Sequence, residues 1–343
     1  MLAFPDDGQI RFRKIRDAGS VLNATLVFVR RNARELLTSY LALVAPVALA
    51  AGLALALWFR QFGDLMTNPE ALVTGDVEVF GWSYGGMLLF SLLGTALAQA
   101  AGAGYVRLYR QGEAGSITMG RLWEESRDLL LPFLGLPFLF AVVVVVSAVL
   151  NVVPCLGTIA WVGLVVWLLP YYAVTLATRA LDEDSLGAAW TRARALVKGS
   201  WGFAAGALLL TFLILVVVNL ALSIVLSAVL GVGLAGAVAG DPAEAMGLMG
   251  WVYAPLQVVG YALYALIMVA IFFIHGRLAE ELDGTALHDD LDTLADAGFD
   301  VPATPRSTPP DAAPPPAPPA SDPPASDPPA DGAGGFRGGG FGG

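Results

Sequence analysis

The sequence has little charge and few of the residues that usually carry chemistry. Only 14% of its 343 residues are charged, against about 25% in soluble domains. It contains one cysteine, Cys155, and two histidines, His275 and His288. One cysteine excludes an intramolecular disulfide, and two isolated histidines argue against a metal site or a Cys–His nucleophile. A Gly-rich phosphate loop with its lysine is also missing. We therefore expect neither a cofactor nor an enzymatic activity.

Apolar residues are abundant instead, at 56% of the chain, and they occur in long blocks. A helix of about 20 apolar residues crosses the hydrocarbon core of a bilayer. A membrane β-barrel would show alternating segments of about ten residues, which are absent here. The predicted spans are Thr38–Phe59, Trp82–Tyr105, Leu129–Leu150, Leu156–Ala177, Trp201–Ser223 and Trp251–Ile274. The predicted fold is all-α, a polytopic six-helix transmembrane bundle with interfacial amphipathic helices on the cytoplasmic side and a disordered C-terminal tail.

Two regions differ from the ordinary pattern of a span followed by a polar loop. Spans three and four are separated only by NVVPC, where Asn151 and Pro154 break the helix and Gly157 follows, so a tight hairpin is predicted. The block 201–240 carries no charge and is too long for one ordinary span. Either span five is long and tilted, or residues 224–240 form a separate interfacial or re-entrant piece.

The basic residues predict the orientation of the bundle. Of the 19 lysines and arginines, 18 lie before span one or after spans two, four and six, and only Arg60 lies on the other side. Short loops rich in Lys and Arg stay in the cytoplasm. Both termini are therefore predicted to be cytoplasmic, in a multi-pass protein of the cytoplasmic membrane.

The net charge of −10 belongs to the C-terminal tail. Residues 278–343 contain 12 acidic and 2 basic side chains, and the rest of the chain is neutral. An acidic tail repels nucleic acid, so no nucleic-acid partner is expected. From residue 301 the composition is rich in Pro, Ala and Asp and then in Gly and Phe, which predicts a disordered spacer that could dock a protein partner.

A basic segment, SLGAAWTRARALVKGSW (185–201), has the periodicity of an amphipathic helix. Its apolar residues fall along one face: Leu186, Trp190, Ala193 and Val197. Such a helix lies in a membrane interface, with Trp at headgroup depth and its basic groups near anionic lipid. The predicted interfacial anchors are Trp190, Arg192, Arg194 and Lys198. Segments 19–37 and 115–130 have a similar composition. These helices are either a platform for lipid or a partner, or simple topological anchors.

Three polar side chains fall at membrane depth: Gln99, Asn219 and Gln257. They could line a path for a neutral solute, or they could make interhelical hydrogen bonds that stabilise the bundle. Two sets of small residues predict close helix contacts: Gly94, Ala98 and Gly102 on span two, and Gly202 and Gly206 on span five. His275, at the inner end of span six, is expected to be interfacial.

The segment 185–201 leads into GFAAGALLL, and it follows a span that contains Pro170. Together with the N-terminal FRKIRDAGSVLNATLVFVRRNARELL, this order of features resembles the six-helix membrane domain at the N-terminus of some bacterial glycerophosphodiester phosphodiesterases. Related stand-alone bacterial inner-membrane proteins share the pattern. The resemblance covers roughly residues 10–280. It implies a six-helix fold in a bacterial inner membrane without phosphodiesterase activity, because the separate catalytic barrel is absent.

Four regions follow from this organisation. Residues 1–37 are an amphipathic N-terminal segment, 38–275 the six-helix domain, 276–300 an acidic helical segment and 301–343 the disordered tail. The leading hypothesis is a non-enzymatic scaffold or accessory membrane module. The alternative is a transporter or channel for a neutral or lipid-like solute, which requires Gln99, Asn219 and Gln257 to converge on one cavity.

Overall fold

The computed structural model describes residues 10–67, 70, 81–153, 155–182, 185–229, 231 and 242–284. These residues are almost entirely helical, and they contain no strand. Seven α-helices of more than three residues lie among them: α1 Ala18–Arg31, α2 Leu41–Thr67, α3 Trp82–Arg110, α4 Met119–Ser147, α5 Leu156–Leu181, α6 Leu186–Val229 and α7 Pro242–Asp283. Six of these, α2 to α7, contain segments long and apolar enough to cross a membrane. The predicted fold class is confirmed, and the fold is that of a multi-pass membrane protein.

Helix α7 is the central element of the bundle. It packs against α2, α3 and α6 and also contacts α1 and α5. Gly52 of α2 is so close to α7 that a Cβ atom there would lie 2.6 Å from the carbonyl oxygen of Ala254. In the same contact, a Cβ on Gly250 would lie 2.7 Å from the Cα atom of Ala56. Paired glycines thus let these two backbones approach each other closely, as in many membrane helix pairs.

The predicted ladder of small residues on span two is a helix contact. A Cβ atom on Gly94 would lie 2.7 Å from the hydroxyl of Tyr261, and one on Gly102 would lie 2.9 Å from the Cβ of Met268. Both partners belong to α7, and Ala98 between the two glycines is fully buried. The second predicted set behaves differently, since Gly202 and Gly206 have open space around their Cβ positions.

The predicted tight hairpin joins α4 to α5. Helix α4 is followed by a 3₁₀ turn, Ala148–Val152. Cys155 has a positive φ of 64°, and the amide of Gly157 donates to the carbonyl of Val153 at 2.8 Å. A side chain at Gly157 would overlap the carbonyl oxygen of Leu150, so glycine is required there for close packing.

The three predicted interfacial segments differ from one another in the structure. Only the first contains a separate helix, α1, which Asp17 caps by accepting a hydrogen bond from the amide of Ser20 at 2.6 Å. The second is continuous with span three in α4, whose N-cap is Thr118. The third is the first part of α6, and it is set off only by a non-helical backbone at Ser200 (φ −130°, ψ 30°).

Two predicted boundaries do not coincide with helix ends. Helix α6 continues to Val229, so residues 224–229 extend span five instead of starting a new piece, and residues 232–240 lie outside the described part. Helix α7 continues to Asp283, so residues 276–283 prolong span six. The remainder of the predicted acidic segment and the predicted tail, residues 285–343, also lie outside the described residues.

Candidate functional site

Most of the arginines gather at one end of the bundle, where α3, α5 and α7 end and α4 and α6 begin. We call this the basic end. Arg107 of α3 donates to the carbonyl of Ala180 and pairs with Glu125 of α4 at 3.3 Å. Arg192 of α6 donates to both carboxylate oxygens of Asp283 in α7 at 2.6 Å. These two arginines therefore join α3 to α4 and α5, and α6 to α7, at this end.

The N-terminal segment before α1 covers part of the basic end. The ring of Phe12 stacks on that of Phe273, with centroids 4.6 Å apart. The guanidinium of Arg16 lies 5.1 Å from the Phe273 centroid and donates to the carbonyl of Phe12 at 3.1 Å. Burial lowers the pKa of Arg16. Gly276 of α7 lies against the Phe12 backbone, so this segment is packed onto the bundle.

His275 lies at this end of α7, and its side chain is buried within the protein, with the residue only 1% exposed. Its predicted position at the membrane interface stays a prediction. Its Nε2 lies 3.8 Å from a carboxylate oxygen of Asp182, too far for a hydrogen bond. Neither ring nitrogen has a hydrogen-bond partner among the described residues. The N-terminal segment and α3 pack around the end of α7, a contact that hydropathy does not reveal.

A pocket of about 500 Å³ lies between α5 and the first part of α6. We call it the basic aromatic pocket. Its lining residues are Trp167, Leu168, Tyr171, Trp190, Thr191, Arg194, Ala195 and Lys198. The rings of Trp167 and Tyr171 are 5.2 Å apart, and those of Tyr171 and Trp190 are 6.2 Å apart. Trp201, just after the break at Ser200, donates to the carbonyl of Trp167 at 3.1 Å and fixes one edge.

Among the described residues, the two cations of the pocket have no counter-ion. Trp190, Arg194 and Lys198 are spaced at i, i+4 and i+8, so they form one stripe along α6. Arg194 and Lys198 are exposed, and neither has an ion pair or hydrogen bond within the described chain. Arg192, by contrast, is held by Asp283. The pocket thus presents two unneutralised cations beside three aromatic rings.

Three of the four predicted anchors, Trp190, Arg194 and Lys198, come together in this pocket. The fourth, Arg192, pairs with a carboxylate and does not line it. Two residues of the predicted apolar face, Ala193 and Val197, are fully buried against the protein. The sequence does not predict the α5 half of the pocket, because aromatic residues inside an apolar span have the same hydropathy signal as other spanning residues.

Among the cavities formed by the described residues, none is lined by all three polar residues predicted at membrane depth. Gln99 is fully buried and donates to the hydroxyls of Tyr172 at 2.6 Å and Tyr264 at 3.1 Å. These are interhelical hydrogen bonds from α3 to α5 and α7. Asn219 and Tyr264 line a cavity between α6 and α7, but Gln99 and Gln257 are not among its lining residues.

No family model, curated protein or solved structure matches the chain. The resemblance to the six-helix domain of bacterial phosphodiesterases thus stays a prediction. Among the described residues, no group of three or more His, Cys, Asp or Glu side chains could hold a metal ion. The structure therefore defines a class, the multi-pass integral membrane protein. The chemistry of its sites follows from the residues that line them.

Proposed function

We propose that this protein is a non-enzymatic integral membrane module that binds an anionic phospholipid in the basic aromatic pocket. In this proposal its basic end lies in the cytoplasmic leaflet, and both termini are cytoplasmic. The observation that supports the lipid site is the unpaired stripe of Arg194 and Lys198 beside the rings of Trp167, Tyr171 and Trp190.

The chemistry of the pocket fits a phospholipid better than a free anion. Arg and Lys bind phosphate oxygens through charge-assisted hydrogen bonds. Trp and Tyr rings favour the headgroup level of a bilayer, because one part of each ring system is apolar and the other polar. Leu168 and the aromatic rings offer apolar surface to the glycerol backbone and the first acyl carbons. A soluble anion would leave that surface unused.

A scaffold role for the bundle goes with this site. A lipid bound between α5 and α6 would hold the first part of α6 against the bundle at the basic end. The tail could then present a docking segment to a protein partner at the cytoplasmic face. The support for this part is the Pro-, Ala-, Gly- and Phe-rich composition of residues 301–343, which lie outside the described chain.

Titration of dioleoylphosphatidylglycerol into the detergent-solubilised full chain, followed by native mass spectrometry, tests the lipid site. Each basic group near an anionic lipid contributes on the order of 1 kcal/mol. We therefore expect R194Q/K198Q to weaken phosphatidylglycerol binding about 25-fold. The matched control is R30Q/R31Q, which removes two exposed arginines from the last turn of α1 and should leave the affinity almost unchanged.

Two comparisons identify the ligand. Dioleoylphosphatidylcholine should bind the wild-type protein more weakly than phosphatidylglycerol, and inorganic phosphate should not displace the bound lipid. Equal loss of affinity in R194Q/K198Q and in R30Q/R31Q would mean that the lipid senses only the overall charge of the basic end. That result, or displacement by phosphate, would overturn the proposal.

A further inference from the structure

A second cavity, of about 370 Å³, lies between α6 and α7 and shares no lining residue with the basic aromatic pocket. Its volume is within the range of about 300–1,000 Å³ that is usual for small-molecule sites. The lining contains four neutral polar side chains: Asn219, Ser223, Tyr253 and Tyr264. None of the lining residues is charged. The cavity therefore offers hydrogen bonds without a net charge.

Two of these polar groups have no hydrogen-bond partner among the described residues. Asn219 and Ser223 are one turn apart on α6, and neither makes a hydrogen bond within the described part of the chain. The hydroxyl of Tyr264 accepts a hydrogen bond from Gln99, which fixes it at the cavity wall. In the hydrocarbon region water does not satisfy such groups, and an unsatisfied amide there is unfavourable. A bound molecule with hydrogen-bonding atoms would remove that cost.

The cavity opens at the outer surface of the spanning helices, which a bilayer would cover. Phe212 and Leu220, two of its lining residues, are 54% and 58% exposed on the outer surface of α6. Leu215 and Ile267 give the rest of the wall an apolar character. A ligand can thus enter sideways from the bilayer, with its chain against the apolar residues and its head at the polar ones.

We propose that the cavity between α6 and α7 binds a neutral lipid with a hydroxyl and ester head, of the diacylglycerol class. The amide of Asn219 can donate to an ester carbonyl and accept from a hydroxyl, and the hydroxyl of Ser223 adds a second contact. A phospholipid is disfavoured because the lining has no cation for its phosphate. This site goes beyond the proposed function, since it involves other residues and a lipid of different charge.

Gly260 of α7 allows a direct test. It lines the cavity, and nothing lies within 4 Å of its Cβ position. A larger side chain there would project into the cavity from a Cβ that meets no neighbour, and replacing glycine inside a helix favours folding. The matched control is Gly206, another helical glycine with open space around it that does not line the cavity. G260L and G206L therefore make the same chemical change in two places.

The experiment uses a photoreactive dioleoylglycerol in phosphatidylcholine nanodiscs that contain the full chain. After irradiation, mass spectrometry maps the labelled peptides of α6 and α7. We expect G260L to lose most of the labelling and G206L to retain it. N219L/S223A should reduce labelling about three- to tenfold, as the loss of one or two membrane hydrogen bonds predicts. Unlabelled dioleoylglycerol should compete, and phosphatidylglycerol should not.

Equal labelling of G260L and G206L would overturn the proposal, because the ligand would then not occupy this cavity. Competition by phosphatidylglycerol as strong as by dioleoylglycerol would also overturn it. A third contradicting result is a dimer of the wild-type protein that N219L/S223A and G260L dissociate, since a second copy would then satisfy Asn219. None of these results bears on R194Q/K198Q, so the two lipid sites succeed or fail separately.

Discussion

Gly52 and Gly250 lie at the contact between α2 and α7, where each faces the backbone of the other helix. Alanine at position 52 would place its Cβ 2.6 Å from the carbonyl oxygen of Ala254, so the helices would have to separate. Overpacking of this kind typically costs about 1–3 kcal/mol. We expect G52A to lower the free energy of unfolding by that amount, measured by equilibrium unfolding in mixed micelles.

The control for this prediction is G206A, which places the same methyl group in open space on α6. It should be neutral or stabilising, since alanine favours a helix over glycine by about 0.5–1 kcal/mol. If G52A proved as stable as G206A, the close approach of α2 and α7 would be wrong. The contact between α2 and α7 would then depend on larger buried side chains of α7, such as Phe272 and Met268.

The first part of α6 is connected to the end of α7 by two side-chain contacts. Arg192 pairs with Asp283, and the hydroxyl of Ser200 donates to Glu281 at 2.9 Å. The Arg192–Asp283 pair is partly exposed, at 35% and 24%, and such pairs contribute about 0.2–1 kcal/mol. A double-mutant cycle with R192Q and D283N should give a coupling energy in that range.

The same cycle with K198Q in place of R192Q is the control, because Lys198 has no partner in the described chain and its coupling to Asp283 should be close to zero. Coupling near zero in both cycles would mean that α6 is not tied to α7 through this carboxylate. The basic aromatic pocket would then need another support for its α6 side.

The sequence predicts the number, type and approximate position of the spanning helices, because long apolar blocks between charged segments leave few alternatives. It also predicts the α4–α5 hairpin and the contact of the Gly94–Ala98–Gly102 ladder. Hydropathy does not distinguish an apolar face that meets lipid from one that meets protein. The burial of Ala193, Val197 and His275 therefore had to come from the structure.

The candidate site was predictable only in part for the same reason. Charge and periodicity identified Trp190, Arg194 and Lys198, which share one stripe of α6. The partners from α5, Trp167 and Tyr171, lie in an uninterrupted apolar span and give no signal of their own. Which of the four predicted anchors would be neutralised depended on the position of Asp283, about 90 residues away in sequence.

The cations of the described residues are distributed unevenly over the bundle. Nearly all of them lie at the basic end, whereas the α4–α5 hairpin and Arg60 lie at the opposite end. The positive-inside rule therefore predicts the basic end in the cytoplasm. Binding of an anionic lipid in the basic aromatic pocket and the scaffold role both require this placement. The proposed lipid site depends on this orientation, because an inverted bundle would leave the basic aromatic pocket in the wrong leaflet.

Cys155 provides the most direct measurement of orientation. It is the only cysteine in the sequence, and it is exposed at the α4–α5 hairpin. We expect a membrane-impermeant maleimide to label Cys155 from the outer side of the cytoplasmic membrane. In a C155S background, a cysteine placed at the basic end by R30C should be labelled only after permeabilisation. Labelling of R30C/C155S without permeabilisation, together with protection of Cys155 in the wild-type protein, would place the basic end outside and contradict this orientation.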